Sequence, residues 1–449
     1  MKEKLSKREL IYIASMLFGL FFGAGNLIFP IYMGQLAGEN MWRAVIGFLI
    51  TGVGLQLLGV TAIGISRSDG LIELSGKVSK GYSVFFTCAL YLTIGPFFAI
   101  PRCATVPFTV GVEPMLGSGA NMPFMLTLFS AIFFVAVLGF SLYPGKILTW
   151  VGKILNPLFL IFLGTLVVAA LINPMGGISN LEPMKGYTSR AFMTGFLEGY
   201  NTMDALASLA FGIIVIDVIR GLGIKEPGAV AKNTVHAGIF SCIIMAVIYI
   251  AVTVVGAQSR NAYEVCQNGG EVFAIVAKHY FGSAGALILA ITVTFACLKT
   301  AVGLVTSCSE TFCKLFPKAF SYRTWAVIFS IVSFLVANIG LNSIIAYAIP
   351  VLMFLYPLAI TLILLGIFGN MFGHSKYVYG FVTGFTLFAA IFDFFGALPE
   401  YAVKALHIGG VLNFVNKWLP LSGYGLGWIV PAIIGLIIGL TVMKTRKTA

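Results

Sequence analysis

Charged residues are scarce in this sequence, and their scarcity excludes most soluble protein classes. Only 10% of the 449 residues are Asp, Glu, Lys or Arg, and 59% are hydrophobic, whereas soluble domains carry about 25% charged residues. Only four histidines are present, and no two of them share a helix face, so the sequence gives no support for a metal or haem site. The seven cysteines lie mostly within or beside apolar runs and indicate buried free thiols. Composition therefore predicts one integral membrane domain over 1–449.

Apolar runs long enough to cross a bilayer recur along the whole chain. They predict an all-α integral membrane protein with about twelve transmembrane helices. The runs cover 10–36, 42–66, 81–112, 121–143, 146–172, 190–219, 229–257, 282–313, 324–339, 342–368, 376–397 and 424–443.

The distribution of basic residues predicts the orientation of the chain. With the N terminus in the cytoplasm, the inner segments hold 19 of the 28 lysines and arginines, and the outer segments hold seven. We therefore expect a multi-pass protein of the inner (cytoplasmic) membrane, in contact with lipid, with both termini cytoplasmic. The net charge of +12 does not indicate nucleic-acid binding, because the basic residues lie in short gaps between apolar runs rather than in one face or tail.

Two of the predicted spans contain residues that interrupt a helix at mid-membrane depth. FFGAGNLIFP (21–30) lies in the first span, and LEGYNTMDALASLAFG (197–212) lies in the sixth, with Gly23 and Gly199 176 residues apart. Each interrupted span opens a set of five, so the second set has inverted topology. This pattern is typical of secondary transporters with inverted repeats. It predicts a first repeat over 10–172, a second over 190–368, and two additional helices over 376–443.

A broken helix at membrane depth exposes backbone groups that can bind a ligand. The N–H groups that begin the second half-helix favour a carboxylate, and the carbonyls that end the first half-helix favour an ammonium group or a cation. The alternative interpretation is a glycine-lined packing face or a simple kink, both of which are common in membrane helices. Two matched interruptions favour the binding site.

Four longer strings resemble one known family. They are GLFFGAGNLIFPIYMGQLAG (19–38), AIPRCATV in the third span, EGYNTMDALASLAFG (198–212) and TAVGLVTSCSETF in the eighth span. Together they resemble the branched-chain amino acid:cation symporter family, the BrnQ-type carriers, from end to end. The resemblance implies the LeuT-type five-plus-five inverted repeat, a small-molecule substrate (leucine, isoleucine or valine), and uptake driven by a Na⁺ or H⁺ gradient without another cofactor. The alternative within this class is a carrier for another small neutral amino acid such as threonine or alanine, and the oligomeric state stays open.

The resemblance also implies the positions of the binding residues. The first unwound segment, expected at the substrate carboxylate, is Gly23, Ala24, Gly25 and Asn26, with a possible sodium ion at Asn26. The second, expected at the ammonium group and the side chain, is Gly199, Tyr200, Asn201 and Thr202. A second sodium site would combine carbonyls near Gly19 and Phe22 with Lys299 and Thr300. Because a lysine departs from the sodium-site pattern, Lys299 is expected to replace the ion or to carry a proton; alternatively it points away from the first span and pairs with a carboxylate for structure. The apolar or aromatic candidates for the pocket wall are Phe22, Phe97, Phe196, Tyr200 and Phe295.

Ionisable groups inside spans are candidates for function because their burial is costly. Arg102 and Glu198 lie at similar depth and are predicted to pair as an outer gate; alternatively each is solvated, or binds carbonyls freed by nearby prolines. Asp204 follows the second interruption, where capping of the helix and ion binding are both open. Glu113 and Asp393 lie near span ends and are expected to reach water. No clustered carboxylates or nucleophile–base pair indicate an intramembrane enzyme, and a channel would not require paired broken helices.

Overall fold

The computed structural model describes residues 4–116, 119–142 and 156–447, and this part of the chain is helical without strands. The helices are α1 (Lys7–Phe21), α2 (Ala24–Ala37), α3 (Met41–Leu49), α4 (Leu55–Ile65), α5 (Leu71–Gly76), α6 (Lys80–Leu92), α7 (Ala99–Pro107), α8 (Met122–Ser141), α9 (Asn156–Ile172), α10 (Tyr187–Glu198), α11 (Asp204–Gly221), α12 (Pro227–Ser259), α13 (Gly269–Leu315), α14 (Tyr322–Ala337), α15 (Leu341–Phe368), α16 (Lys376–Gly396), α17 (Glu400–Ala405), α18 (Gly409–Trp418) and α19 (Ile429–Lys447).

Each predicted span coincides with one or two of these helices, and the all-α prediction is confirmed. The run at 146–172 lies partly outside the described residues. Within the described ranges, eight helices are long and apolar enough to cross a membrane, and the bent pair α10 and α11 makes a ninth. The number twelve stays a prediction.

Two pairs of glycines bring neighbouring backbones into direct contact. A Cβ on Gly34 of α2 would lie 2.0 Å from the carbonyl oxygen of Thr253, and a Cβ on Gly256 of α12 would lie 2.0 Å from that of Ile31. Gly47 of α3 and Gly195 of α10 approach the facing backbones equally closely. Because glycine lacks a side chain, the helices can pack at this distance. The second half of the first span is thereby packed tightly against α12, and the first half of the sixth span against α3.

Two more spans are interrupted at places that the sequence analysis did not predict. A π-helical turn, Ile50–Gly54, joins α3 to α4. A second one, Thr93–Phe97, joins α6 to α7 and contains Gly95 with non-helical backbone (φ −95°, ψ −123°) followed by Pro96. Such turns are frequent at functional sites, and both of these pack close to the predicted helix interruptions.

Candidate functional site

The first predicted interruption lies between α1 and α2. Phe22 and Gly23 have extended backbone there, with ψ 100° and ψ −166°. The N–H of Gly23 donates to Oδ1 of Asn26 at 2.7 Å, so the asparagine side chain replaces an intrahelical acceptor. A Cβ on Gly23 would lie 3.2 Å from Cγ2 of Thr300, which places the interruption against the middle of α13. The first N–H groups of α2 have no acceptor within their own helix and can therefore serve a ligand.

The second interruption separates α10 from α11 and bends the pair by 42°. A 3-10 turn covers Gly199–Thr202, and the buried Met203 that follows has left-handed backbone (φ 62°, ψ 15°). This conformation costs a residue with a side chain about 1–3 kcal/mol and persists only where the surrounding structure enforces it. The hydroxyl of Thr51, in the π turn before α4, donates to the carbonyl of Phe196 at 2.7 Å. That bond satisfies a carbonyl near the end of α10.

The two interruptions meet, and a polar network joins them. Nδ2 of Asn26 donates to Oδ2 of Asp204 at 2.7 Å and also to the hydroxyl of Tyr249. The Tyr249 hydroxyl in turn donates to Oδ2 of Asp204 at 3.0 Å. All three side chains are buried. Asp204 thus accepts hydrogen bonds from two other spans, in addition to lying in the first turn of α11.

Arg102 binds the second interruption rather than the predicted partner. Its Nη1 donates to the carbonyl oxygen of Asn201 at 2.8 Å, and its guanidinium lies 5.4 Å from the centre of the Phe29 ring. No ion pair joins Arg102 to Glu198 in the described structure, so the predicted gate pair is not formed in this conformation. The reason is that the 3-10 turn directs the carbonyl of Asn201 toward Arg102. This carbonyl belongs to the sixth span and is not one of those that the sequence alternative assigned to nearby prolines.

A small cavity lies where the two interruptions meet. Its volume is about 40 Å³. Because a water molecule needs about 10–15 Å³ on such a measure, the cavity has room for only a few water molecules. Arg102 and Asp204 are the charged residues in its lining. The other lining residues are Leu20, Phe21, Gly23, Ala24, Gly25, Asn26, Ile94, Ala99, Cys103, Thr202, Met203, Ala207, Phe211, Thr300 and Leu304.

The predicted site residues divide between this lining and its surroundings. Gly23, Ala24, Gly25, Asn26, Thr202 and Thr300 line the cavity, whereas Gly19, Phe22, Gly199, Tyr200, Asn201 and Lys299 do not. Tyr200 is instead stacked on Tyr356 of α15 with ring centres 3.9 Å apart. Lys299 is buried, but its neighbour Thr300 is the residue that reaches the first interruption.

None of the five predicted wall residues lines the cavity in this conformation, and two of them are exposed. Phe97 is 42% exposed and Phe295 is 41% exposed, and neither lines the cavity. For Phe97 the physical reason is the break at Gly95, which redirects the chain so that Phe98 is buried instead. Phe295 lies on a face of α13 that points away from the cavity.

Several residues of the site were not identified from the sequence. Tyr249 lies within a long apolar run, and a single tyrosine there carries no signal that its hydroxyl reaches a carboxylate 45 residues earlier in the chain. The sequence analysis identified Arg102 as a buried charge but not its acceptor. Ile94, Phe211 and Leu304 look like ordinary core residues.

Two broken helices that meet around a buried polar network, within a helical membrane domain, define a membrane transporter rather than an enzyme. Solved transporters share this fold. Mhp1, a nucleobase-cation-symport-1 family transporter in a closed conformation with bromovinylhydantoin bound, matches with a TM-score of 0.60 at 16% identity, covering 97% of this chain and 92% of that one. MhsT in complex with L-phenylalanine matches with a TM-score of 0.55 at 16% identity, covering 99% of both chains.

The family follows from the sequence comparisons. The family model described as "Branched-chain amino acid transport protein" matches residues 6–446, and the chain belongs to this family. It is 50% identical to the branched-chain amino acid permease BrnQ of Lactobacillus delbrueckii subsp. lactis, over the full length of both. It is 44% identical to the permease BrnQ of Bacillus subtilis (strain 168), again over the full length of both. The predicted family is thereby confirmed.

Proposed function

We propose that this chain is a secondary active symporter that imports leucine, isoleucine and valine across the cytoplasmic membrane. A Na⁺ or H⁺ gradient drives the uptake, and both termini lie in the cytoplasm. The observation that carries the proposal is the cavity at the meeting point of the two interruptions, whose lining holds one guanidinium, Arg102, and one carboxylate, Asp204.

The two charges match the two charges that every free amino acid carries. The substrate carboxylate binds at the start of α2, where the helix N-terminus favours an anion, with Arg102 nearby. The ammonium group binds toward Asp204 and the carbonyls that end α1. Arg102 and Asp204 then bind the carboxylate and the ammonium group of the substrate. A charged side chain on the substrate therefore finds no partner in the cavity lining.

The remaining lining selects the side chain of the substrate. Its apolar residues include Leu20, Phe21, Ile94, Ala99, Ala207, Phe211 and Leu304. An aliphatic side chain gains about 0.8 kcal/mol for each buried CH₂ group, so branched aliphatic substrates are favoured over glycine. The names of the relatives as branched-chain amino acid permeases support the same substrate class.

The cavity has room for only a few water molecules and is too small for leucine. Transport therefore requires that the cavity opens. The glycine pairs hold α2 against α12 and α10 against α3, so these half-helices are fixed to their neighbours. Phe21 of α1 and Phe211 of α11 also line the cavity, with ring centres 6.4 Å apart. We propose that α1 and α11 move apart there, each about its own interruption, to release the substrate.

Uptake into proteoliposomes tests the proposal. Labelled leucine, isoleucine, valine, threonine, alanine, lysine and glutamate are offered in parallel, with Na⁺ and H⁺ gradients imposed separately. We expect accumulation of the three branched-chain amino acids under one of the two gradients. Preferential accumulation of threonine or alanine would establish the alternative carrier, and robust uptake of lysine or glutamate would refute the assignment of the two charges.

A further inference from the structure

A second, larger cavity lies between α10, α15, α16 and the segment just before α19. Its volume is about 440 Å³, within the range of small-molecule sites, and it shares no lining residue with the central cavity. We call it the Asp393 cavity. Because α19 runs from this region to the C terminus, the cavity lies on the side of the molecule opposite the C terminus.

Asp393 is a buried carboxylate in the wall of this cavity. The residue is 8% exposed, and its Oδ2 has no hydrogen-bond partner within the described part of the chain. The sequence analysis expected this aspartate to reach water from a span end. A buried acceptor without a partner costs about 1–3 kcal/mol, and more when it is charged. The arrangement therefore favours a donor supplied by a ligand.

Arg190 lines the same cavity from α10. Its Nη1 donates to the carbonyl of Gly423 at 2.8 Å, and its guanidinium stacks 4.8 Å from the centre of the Tyr424 ring. These contacts hold the guanidinium in place while using one hydrogen bond of the five that it can donate. In the described structure no ion pair joins Arg190 to Asp393. The cavity thus presents a positive and a negative group that do not neutralise each other by direct contact.

We propose that the Asp393 cavity binds a free amino acid as a zwitterion, with its ammonium group at Asp393 and its carboxylate at Arg190. This inference rests on the proposed function, since it assigns the same substrate class to a second site. Apolar walls are available for an aliphatic side chain; they are Met193, Leu197, Ile349, Met353 and Phe392. The headgroup of an ethanolamine phospholipid offers the same pair of charges, and the experiment below separates the two sources.

The Asp393 cavity is connected to the second interruption through adjacent turns of two helices. Leu197 and Met353 line the cavity, and each lies three residues before one of the two stacked rings, Tyr200 and Tyr356. Residues three apart on a helix are neighbours on one face. An amino acid in this cavity therefore contacts the helix turns that carry Tyr200 and Tyr356, next to the interruption.

Binding of labelled leucine to the purified full chain tests the inference. The chain is placed in nanodiscs of phosphatidylcholine and phosphatidylglycerol, which contain no primary ammonium group. We expect two leucines per wild-type chain. Asp393→Asn and Arg190→Gln should each weaken the second site at least tenfold and leave the central affinity unchanged. Glu400→Gln serves as the matched control, because that carboxylate is exposed and outside the cavity, and it should keep both sites.

Gly25→Leu, which fills the central cavity, should leave one leucine bound, and combining it with Asp393→Asn should leave none. The wild type could bind a single leucine, with this binding lost in Gly25→Leu and unchanged in Asp393→Asn and Arg190→Gln. That result would overturn the second site while keeping the proposed function. A second site that ethanolamine phospholipid occupies and leucine cannot displace would overturn the amino-acid assignment. A wild type that binds and transports no leucine would refute the proposed function itself.

Discussion

Asp204 is the residue on which the central site depends most directly, because its carboxylate accepts hydrogen bonds from Asn26 and Tyr249 and lines the cavity proposed for the substrate. We expect Asp204→Asn to reduce the initial rate of leucine uptake by about 10–100-fold, since hydrogen bonds to a charged group contribute about 1.5–3 kcal/mol. Tyr249→Phe removes one donor and keeps the charge, so its loss should be smaller, about 2–10-fold. Rates are measured in proteoliposomes with equal amounts of inserted protein. Equal uptake rates for Asp204→Asn and the wild type would show that the carboxylate is not part of the binding site.

A substitution at Gly25 tests the central cavity by filling its volume rather than by changing its charge. A Cβ at this position would lie 3.2 Å from Cε2 of Phe29 and 3.5 Å from Cα of Thr202. Gly25→Leu should therefore fill the space for the substrate carboxylate and abolish uptake while leaving membrane insertion intact. Gly164→Leu is the control, because nothing lies within 4 Å of a Cβ there. Normal leucine accumulation by the Gly25 variant would show that the unwound segment is not the site.

Single residues also show how far the sequence could predict the site. The glycines and Asn26 were identifiable because residues that break helices are conspicuous in an apolar run. The bond from Arg102 to Asn201 was not, because it joins residues 99 positions apart through a carbonyl that only the folded turn exposes. Phe97 was chosen as an aromatic residue of the third span, and it lies outside the cavity lining because Gly95 breaks the helix just before it.

At the scale of elements, α13 contributes a hydroxyl to the first interruption through Thr300. Its Oγ1 donates to the carbonyl of Ala296 at 3.2 Å, and the lone pairs of the oxygen remain available to a cation. We expect Thr300→Val, which keeps the shape and removes the hydroxyl, to raise several-fold the cation concentration needed for half-maximal leucine uptake. Thr294→Val on the same helix, outside the cavity lining, should leave it unchanged. An unaltered cation dependence in Thr300→Val would exclude this hydroxyl as an ion ligand.

The segment after α5 contacts the turn after α15 through Lys77 and His374. Nζ of Lys77 donates to the carbonyl of Ser66 at 2.9 Å and lies 3.4 Å from Nδ1 of His374. Partial burial, followed by the charge of Lys77, lowers the pKa of His374 below its ordinary value of 6.5. The neutral imidazole is therefore the form that the folded state prefers.

A histidine with a lowered pKa stabilises the fold above its ordinary pKa, and that contribution is lost as the pH falls through the lower folded value. We expect the melting temperature of the purified protein to fall below about pH 6.5 more steeply in the wild type than in His374→Gln, which cannot acquire a charge. His236→Gln, at an exposed histidine, should behave like the wild type. Parallel pH profiles for the wild type and His374→Gln would contradict this assignment.

Whole helices were easier to predict than their internal irregularities. Length and hydropathy placed the spans because a bilayer imposes both. The π turns at 50–54 and 93–97 were not predicted, since their sequences, ITGVG and TIGPF, are also compatible with ordinary membrane helices. Whether such a segment forms a π turn depends on its contacts with neighbouring spans. The hydrogen bond from the Thr51 hydroxyl to the carbonyl of Phe196 is one such contact.

At the scale of the whole molecule, the glycine pairs should govern folding rather than transport. Even Gly256→Ala would place a methyl group 2.0 Å from the carbonyl oxygen of Ile31, and backbone cannot yield as a side chain can. We expect a loss of about 1–3 kcal/mol or more, seen as a lower melting temperature and less folded protein. Gly164→Ala should have neither effect. A fully stable Gly256→Ala would show that α2 and α12 are free to separate.

The small central cavity has an electrical consequence. A carrier resides permanently in a membrane that maintains a voltage, and any continuous file of water across the roughly 30 Å hydrocarbon core would let ions discharge it. In this conformation the central cavity contains only about 40 Å³ of space, which is far too little for a file of water of that length. On the proposed symport mechanism, closure of the central cavity in this conformation means that the coupling ion crosses the membrane only together with substrate.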